Sequence, residues 1–415
     1  MNKQFVLSAV VAMAAFAATA EVMDRPQGIK IGQRMTLRPY VSLSYTYDSN
    51  VDSMKHSNPG SQWCVNPGTT LEYMADNWKV VGTVYYQYHA YNKYANQLNS
   101  SSYGESLKFD WMDAEPEEAG WRAMFSESFM QIAQDDDMTS QGGRGLGRDR
   151  KEFTANGLVE RRLNEFWHAS ALASYYYLDY DNNVNKYAQL YGWRRTVVGS
   201  EAGYAPTAWT DFIVQANYQW YDQDNSEHRP AKAVGRNIDS DSRGVSVLGG
   251  VASHATEKIS YRAMGGWSRF EYGGGADTFN GFIYQLSSQW KIDSTLSVMM
   301  LGSSYYQPSE RYYGTANKVY TFSAGAAKSW VRGKLSTGVD LSYRRESTEY
   351  TQIADANYDE DIWTGRVNVN YVINRFVSVF GSIEYQTEKS RGRTISGHLY
   401  DYDRFRGTVG LRLTY

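Results

Sequence analysis

The last twelve residues, Arg404 to Tyr415, constrain this chain more than any other stretch. They read RFRGTVGLRLTY, so that Phe405, Gly407, Val409, Leu411, Leu413 and Tyr415 share one face of an extended strand. Arg404, Arg406, Thr408, Gly410, Arg412 and Thr414 share the other. One face is apolar and the other cationic. A half-buried strand of a soluble sheet alternates in the same way, so the remainder of the chain must decide between a soluble sheet and a membrane one. Apart from an apolar run near the N-terminus, no stretch is continuously apolar over the roughly 20 residues that a membrane helix needs. Anything here that crosses a bilayer is therefore a closed barrel, because hydrocarbon tolerates no unpaired backbone polar groups.

The N-terminus, MNKQFVLSAVVAMAAFAATA, places Lys3 before an apolar run and ends on Ala18-Thr19-Ala20. That layout predicts a secretory signal peptide over residues 1–20, removed before Glu21, and takes those residues out of the fold. Residues 21–33 then form a short periplasmic lead, and 34–415 the folded body. Cys64 is the one cysteine, which rules out an intramolecular disulfide framework. The formal net charge of −3, without a basic block, argues against a nucleic-acid partner. The histidines, His56, His89, His168, His228, His254 and His398, show no metal-ligand spacing. Neither a nucleophile elbow nor a phosphate-cradling glycine loop occurs, so the chain reads as a non-enzyme with no cofactor and no metal.

Alternating segments recur along the body: Met35 to Tyr47, Val65 to Tyr73, Trp78 to Tyr88, Tyr103 to Trp111 and so on to the terminal strand. The pattern predicts an all-β, transmembrane antiparallel up-and-down barrel of about 18 strands, with about 16 the next choice. Tight joins such as Asn164-Glu165, Asp293-Ser294, Arg332-Gly333 and Asn374-Arg375 alternate with long polar connections such as Asp222 to Ser240. Aromatic residues sort accordingly. Trp78, Trp111, Trp121, Trp167, Trp209, Trp290 and Trp330 flank short turns, whereas Tyr47, Tyr88, Tyr177, Trp220, Tyr306, Tyr343 and Tyr385 flank long ones. Two aromatic girdles, one per membrane interface, follow from that sorting.

The face opposite the hydrophobic residues carries Arg38, Glu72, Lys79, Lys108, Asp110, Arg122, Glu160, Arg162, Arg194, Arg262, Asp340, Arg344, Arg366, Glu384, Arg404, Arg406 and Arg412. Arginine or lysine on a lipid face costs about 2–4 kcal/mol near the midplane, so these groups are expected to line an aqueous lumen with a slight excess of bases. The third long connection carries Asp135, Asp136 and Asp137 ahead of three arginines, a candidate constriction loop, with a solvated surface loop as the plainer reading. Acidic triplets such as Asp48-Ser49-Asn50 and Asp359-Glu360-Asp361 stand at outer strand ends, where Asx-turn chemistry explains them without a metal ion.

Two resemblances add to this reading. The terminal strand, with its outward hydrophobics and final Tyr415, resembles the signal by which outer-membrane barrels are recognised for insertion. On that resemblance Phe405, Val409, Leu411, Leu413 and Tyr415 would be read by the insertion machinery. The opening strand, RPYVSLSYTYDSNVD from Arg38 to Asp52, resembles the putative β-barrel porin 2 family. The family implies an outer-membrane pore for ions or small polar solutes, in contact with lipid and lipopolysaccharide. It also permits an exopolysaccharide-export barrel working with periplasmic partners, and it leaves a homo-oligomer open.

Overall fold

The computed structural model describes residues 28–51, 58–93, 99–113, 119–135, 148–180, 193–222, 241–272, 278–308, 316–349, 358–392 and 401–415. The signal peptide and most of the lead lie outside these residues. The described chain is almost entirely strand. In order the strands are β1 (Ile29–Ile31), β2 (Met35–Asp48), β3 (Gly60–Met74), β4 (Trp78–Tyr91), β5 (Ser100–Met112), β6 (Gly120–Asp135) and β7 (Arg148–Arg162). Then come β8 (Trp167–Tyr180), β9 (Trp193–Thr207), β10 (Thr210–Asp222), β11 (Ser242–Thr256), β12 (Ile259–Tyr272) and β13 (Thr278–Lys291). The last are β14 (Leu296–Pro308), β15 (Ala316–Trp330), β16 (Leu335–Glu349), β17 (Tyr358–Asn374), β18 (Val377–Gly392) and β19 (Tyr402–Thr414).

Each strand from β2 onward pairs antiparallel with the next, and β19 returns to pair with β2 from Arg406↔Asp48 to Thr414↔Tyr40. The result is a closed barrel of 18 strands. Closure leaves no edge, which in hydrocarbon would carry a row of unpaired backbone groups. β19 ends before β2 does. The Tyr415 N–H donates to the Pro39 carbonyl at 3.1 Å, and below it β1 takes over the same edge through Ile29↔Leu37 and Ile31↔Met35. The stretch expected to be lead thus supplies a short strand that completes the seam.

Alternation sets the two faces. Val41, Leu43, Val409, Leu411 and Leu413 are all exposed, while Ser42 and Arg404, of the opposite parity, are buried. Around the whole barrel the exposed large hydrophobics share the outward parity, from Trp63 and Val84 through Val214, Trp267 and Phe282 to Ile383. Soluble monomers rarely expose a continuous apolar belt of this extent; it is the surface of a barrel that spans a bilayer. Trp78, Trp121, Trp167, Trp209, Trp290 and Trp330 ring the short-turn end, and Tyr47, Tyr88, Trp220 and Tyr385 ring the other.

Five of the short turns share one device. A side-chain oxygen at the first turn position accepts the backbone N–H groups two and three residues on: Asn164 from Phe166 and Trp167, Thr207 from Trp209 and Thr210, Thr256 from Lys258 and Ile259, Asp293 from Thr295 and Leu296, Asn374 from Phe376 and Val377. These local bonds satisfy the N–H groups that the hairpin leaves free. The β15–β16 turn lacks such a side chain and reverses through left-handed backbone at Val331 (φ 51°) and Arg332 (φ 55°).

Candidate functional site

The inner wall carries the charges. From β16 to β2 one cross-strand row reads Asp340↔Arg366↔Glu384↔Arg406↔Asp48, acid and base alternating at directly opposed positions across five strands and the closing seam. Arg366 pairs with Glu384, Arg406 reaches Glu384 at 3.5 Å and Asp48 at 3.1 Å, and Arg404 donates to Asp48 at 2.6 Å. Opposite charges at facing positions support a sheet, as like charges would weaken it. The Asp48 carboxylate also accepts the Asn50 N–H through its other oxygen at 2.9 Å. Its triplet is therefore an Asx turn joined to an ion pair.

Further round, Glu72 sits between Arg38 (2.5 Å) and Lys79 (2.7 Å), and Arg122 faces Asp110 at 3.5 Å. Two bridges run as chords over intervening strands. The Arg262 guanidinium on β12 reaches back to both carboxylate oxygens of Glu201 on β9, at 3.2 and 2.5 Å. His168 on β8 contacts Asp211 on β10 at 2.5 Å. That chord passes over Gly203 on β9, where a Cβ would lie 1.9 Å from the imidazole, so only glycine fits beneath it. Alternation identifies which residues face inward, but chords between non-adjacent strands have no signal in local sequence, and Glu201, Asp211 and Arg195 were not among the expected lumen residues.

The structure places Arg38, Lys108, Arg122, Arg162, Arg262, Arg344, Arg366, Arg404, Arg406 and Arg412 on the inner face. Arg194 departs from expectation. It pairs across the sheet with Tyr177 and shares the outward parity of the exposed Val198. Its guanidinium stacks over the Tyr177 ring at 5.6 Å and meets Asp222 at 3.9 Å, an arrangement suited to the membrane interface. The inward residue is its neighbour Arg195, buried, over the Tyr221 ring and bonded to Gln219. Two consecutive arginines hide a one-residue choice of face. Of the expected constriction residues, Asp135 ends β6, with its side chain outside the described residues, as are Asp136 and Asp137. Phe405, Val409, Leu411, Leu413 and Tyr415 all stand exposed on the outer face.

Exposure divides the lumen by height. Toward the short turns the inner charges stand in solvent: the Arg366 and Arg122 side chains are 51% and 40% exposed, and Asp340, Lys108 and Arg412 are exposed too. Toward the other end Arg404 is 3% and Glu388 2% exposed, with Asp48, Glu360 and Arg195 also buried. The inner wall over β10–β13 differs in kind. Ile213, Tyr221, Leu248, Met264, Phe270, Tyr272, Phe279 and Ile283 form one buried apolar cluster, Phe270 with no exposure at all. The expected polar lumen is therefore interrupted over β10–β13, where this apolar cluster stands among inward polar residues such as Gln215, Asn217 and Arg262. Sequence obscures this because Met264-Gly265-Gly266-Trp267 in the middle of β12 breaks the alternation of polar and apolar residues.

No family model matches the chain, and no curated protein matches it. Solved structures do. The FrpB iron transporter from Neisseria meningitidis aligns over 95% of this chain and 83% of its own at 9% identity, with a TM-score of 0.46. The outer membrane protein OpdK from Pseudomonas aeruginosa aligns over 91% of this chain and 99% of its own at 11% identity, with a TM-score of 0.44. OpdL from the same organism aligns over 92% and 98% at 10% identity, with a TM-score of 0.41.

Proposed function

We propose that the chain is an outer-membrane channel through which ions and small polar solutes diffuse, without catalysis or cofactor. The observation that carries this reading is the solvated charge on the inner wall from β16 round to β6, inside an apolar exterior. Charges facing inward cost little if water reaches them and would cost far more on the lipid side. An 18-stranded wall is wide enough to hold such water. Solute passes in either direction between the short-turn end, which faces the periplasm, and the opposite mouth, along the charged side. The route narrows toward the opposite end, where Arg404, Glu388 and Glu360 are buried. The resemblance of Arg38 to Asp52 to the porin 2 family agrees with a channel, and the outward residues of β19 agree with an insertion signal.

Most inner bases are neutralised by acids, as Arg38 and Lys79 are by Glu72. Arg412 lies instead over the Tyr40 ring at 4.8 Å, leaving a small positive surplus along the route. Purified protein in a planar bilayer should therefore give discrete conductance steps with a weak anion preference that fades as salt screens the wall. Folded protein that gives no steps, or a steady cation preference, would overturn the proposal.

A further inference from the structure

One wall of the barrel is stitched only halfway. β13 and β14 pair in seven positions, Gln285↔Ser303 to Lys291↔Ser297, all in the half nearer the short turns. Beyond them side chains replace the backbone ladder. The Tyr284 N–H donates to the Ser304 hydroxyl at 3.1 Å, and the Tyr306 hydroxyl donates to the Asn280 carbonyl at 3.1 Å. Tyr306 has outward parity, opposite Lys318, whereas Gly281 faces inward. Yet a Cβ at Gly281 would lie 2.5 Å from the Tyr306 hydroxyl. The ring therefore passes between the strands, and at 6% exposure it packs with Phe279, Ile283 and Phe270 of the inner cluster. The apolar inner wall thus reaches the gap between β13 and β14 at this side chain.

We infer that Tyr306 closes a lateral portal between β13 and β14, and that the portal takes a fatty acid from the surrounding membrane. Backbone groups in a bilayer must stay bonded, and here their partners include rotatable hydroxyls instead of a rigid neighbouring strand. The wall parts there with fewer broken bonds than at any fully laddered pair. Phe279, Ile283 and Leu248 behind it suit a hydrocarbon tail and no polar solute. Lys318 supplies the head site. Its ammonium lies 5.5 Å from the ring centroids of both Tyr306 and Tyr320 and 3.6 Å from where a Cβ at Gly281 would stand, in the gap itself, and no carboxylate partners it among the described residues. A fatty-acid carboxylate there would form a charge-assisted contact, with its tail replacing the Tyr306 ring.

The test uses the full barrel in phosphatidylcholine liposomes containing palmitic acid with a diazirine at the chain end. After irradiation, label is mapped by peptide mass spectrometry, with each variant's fold checked by heat-modifiable gel migration. Wild type should carry label on the inward Phe279 and Ile283. Tyr284→Cys with Ser304→Cys, in a Cys64→Ser background, locks positions that continue the register of Gln285↔Ser303. When oxidised it should lose about tenfold of that inner label and regain it on reduction. Lys318→Gln should weaken labelling by a similar factor, and Tyr306→Ala should raise it. Label confined to outward residues such as Phe282 and Met300, or inner label that the lock leaves unchanged, would overturn the inference. Wild type and the lock decide the matter even if Tyr306→Ala does not fold. Ion conductance of the locked protein reports separately on the axial channel.

Discussion

Asp48 joins the two ends of the barrel wall, because its carboxylate holds Arg404 and Arg406 of the last strand from the first strand of the barrel. Arg404 and Asp48 are both buried, so removing Arg404 leaves the Asp48 carboxylate out of water with Arg406 alone to balance it. Arg404→Ala should therefore destabilise the barrel by about 3 kcal/mol, read from urea unfolding in detergent micelles. Arg406 is solvated enough that Arg406→Ala should cost less than about 1 kcal/mol. Equal losses for the two variants would contradict the assignment of Arg404 as the buried partner. Residue-level legibility was good where alternation was clean, as at Arg404, Arg406 and Arg412, and poor at Arg194 and Arg195. There both residues are basic, and the face is chosen by register with Tyr176 and Tyr177 on β8. The His168–Asp211 chord depends on the vacancy at Gly203, which acquires meaning only once three strands stand side by side.

Hairpin turns were legible because their chemistry is local. Asn164, Asp293 and Asn374 each cap the turn that their side chain predicts. At the exposed Asp293 two N–H groups and the Thr295 hydroxyl hold the carboxyl below its ordinary value, the hydroxyl bond first among the causes. A depressed folded pKa means that this carboxylate stabilises the turn above the ordinary aspartate value of about 4 and stops doing so as pH falls through the lower folded value. Asp293→Asn retains the acceptor oxygen, so it should keep the hairpin at neutral pH and remove its contribution to acid sensitivity, measured by hydrogen exchange at Leu296 across pH. The β15–β16 turn is strained by comparison, since Val331 is β-branched and left-handed. Val331→Asn should stabilise the barrel by about 1 kcal/mol in the same urea assay, and a loss would show that the valine side chain matters more than its backbone. For the terminal strand, Tyr415 contributes one backbone bond to Pro39 and a ring stacked on Phe376. Deleting it should leave refolding into detergent nearly intact and sharply reduce assembly in cells. Normal outer-membrane levels of that variant would remove the insertion-signal role.

At the scale of the molecule, alternation and the sorting of aromatics were sufficient for the closed barrel and its strand number, because every hairpin repeats the same two-sided code. The lumen was legible only in part. Its charged side follows from parity, but the apolar inner wall over β10–β13 reflects what packs against it, and the half-laddered β13–β14 seam reflects strand geometry that no short motif encodes. The account therefore rests on one distinction, between bases that face the water route and bases that face the membrane. Reversal potentials across a planar bilayer under a salt gradient test it directly, using Lys108→Glu with Arg412→Glu against Arg194→Glu. The inward pair should move the channel from weak anion toward cation preference while Arg194→Glu leaves selectivity unchanged. An unchanged reversal potential for the inward pair, or an equal shift from Arg194→Glu, would contradict it.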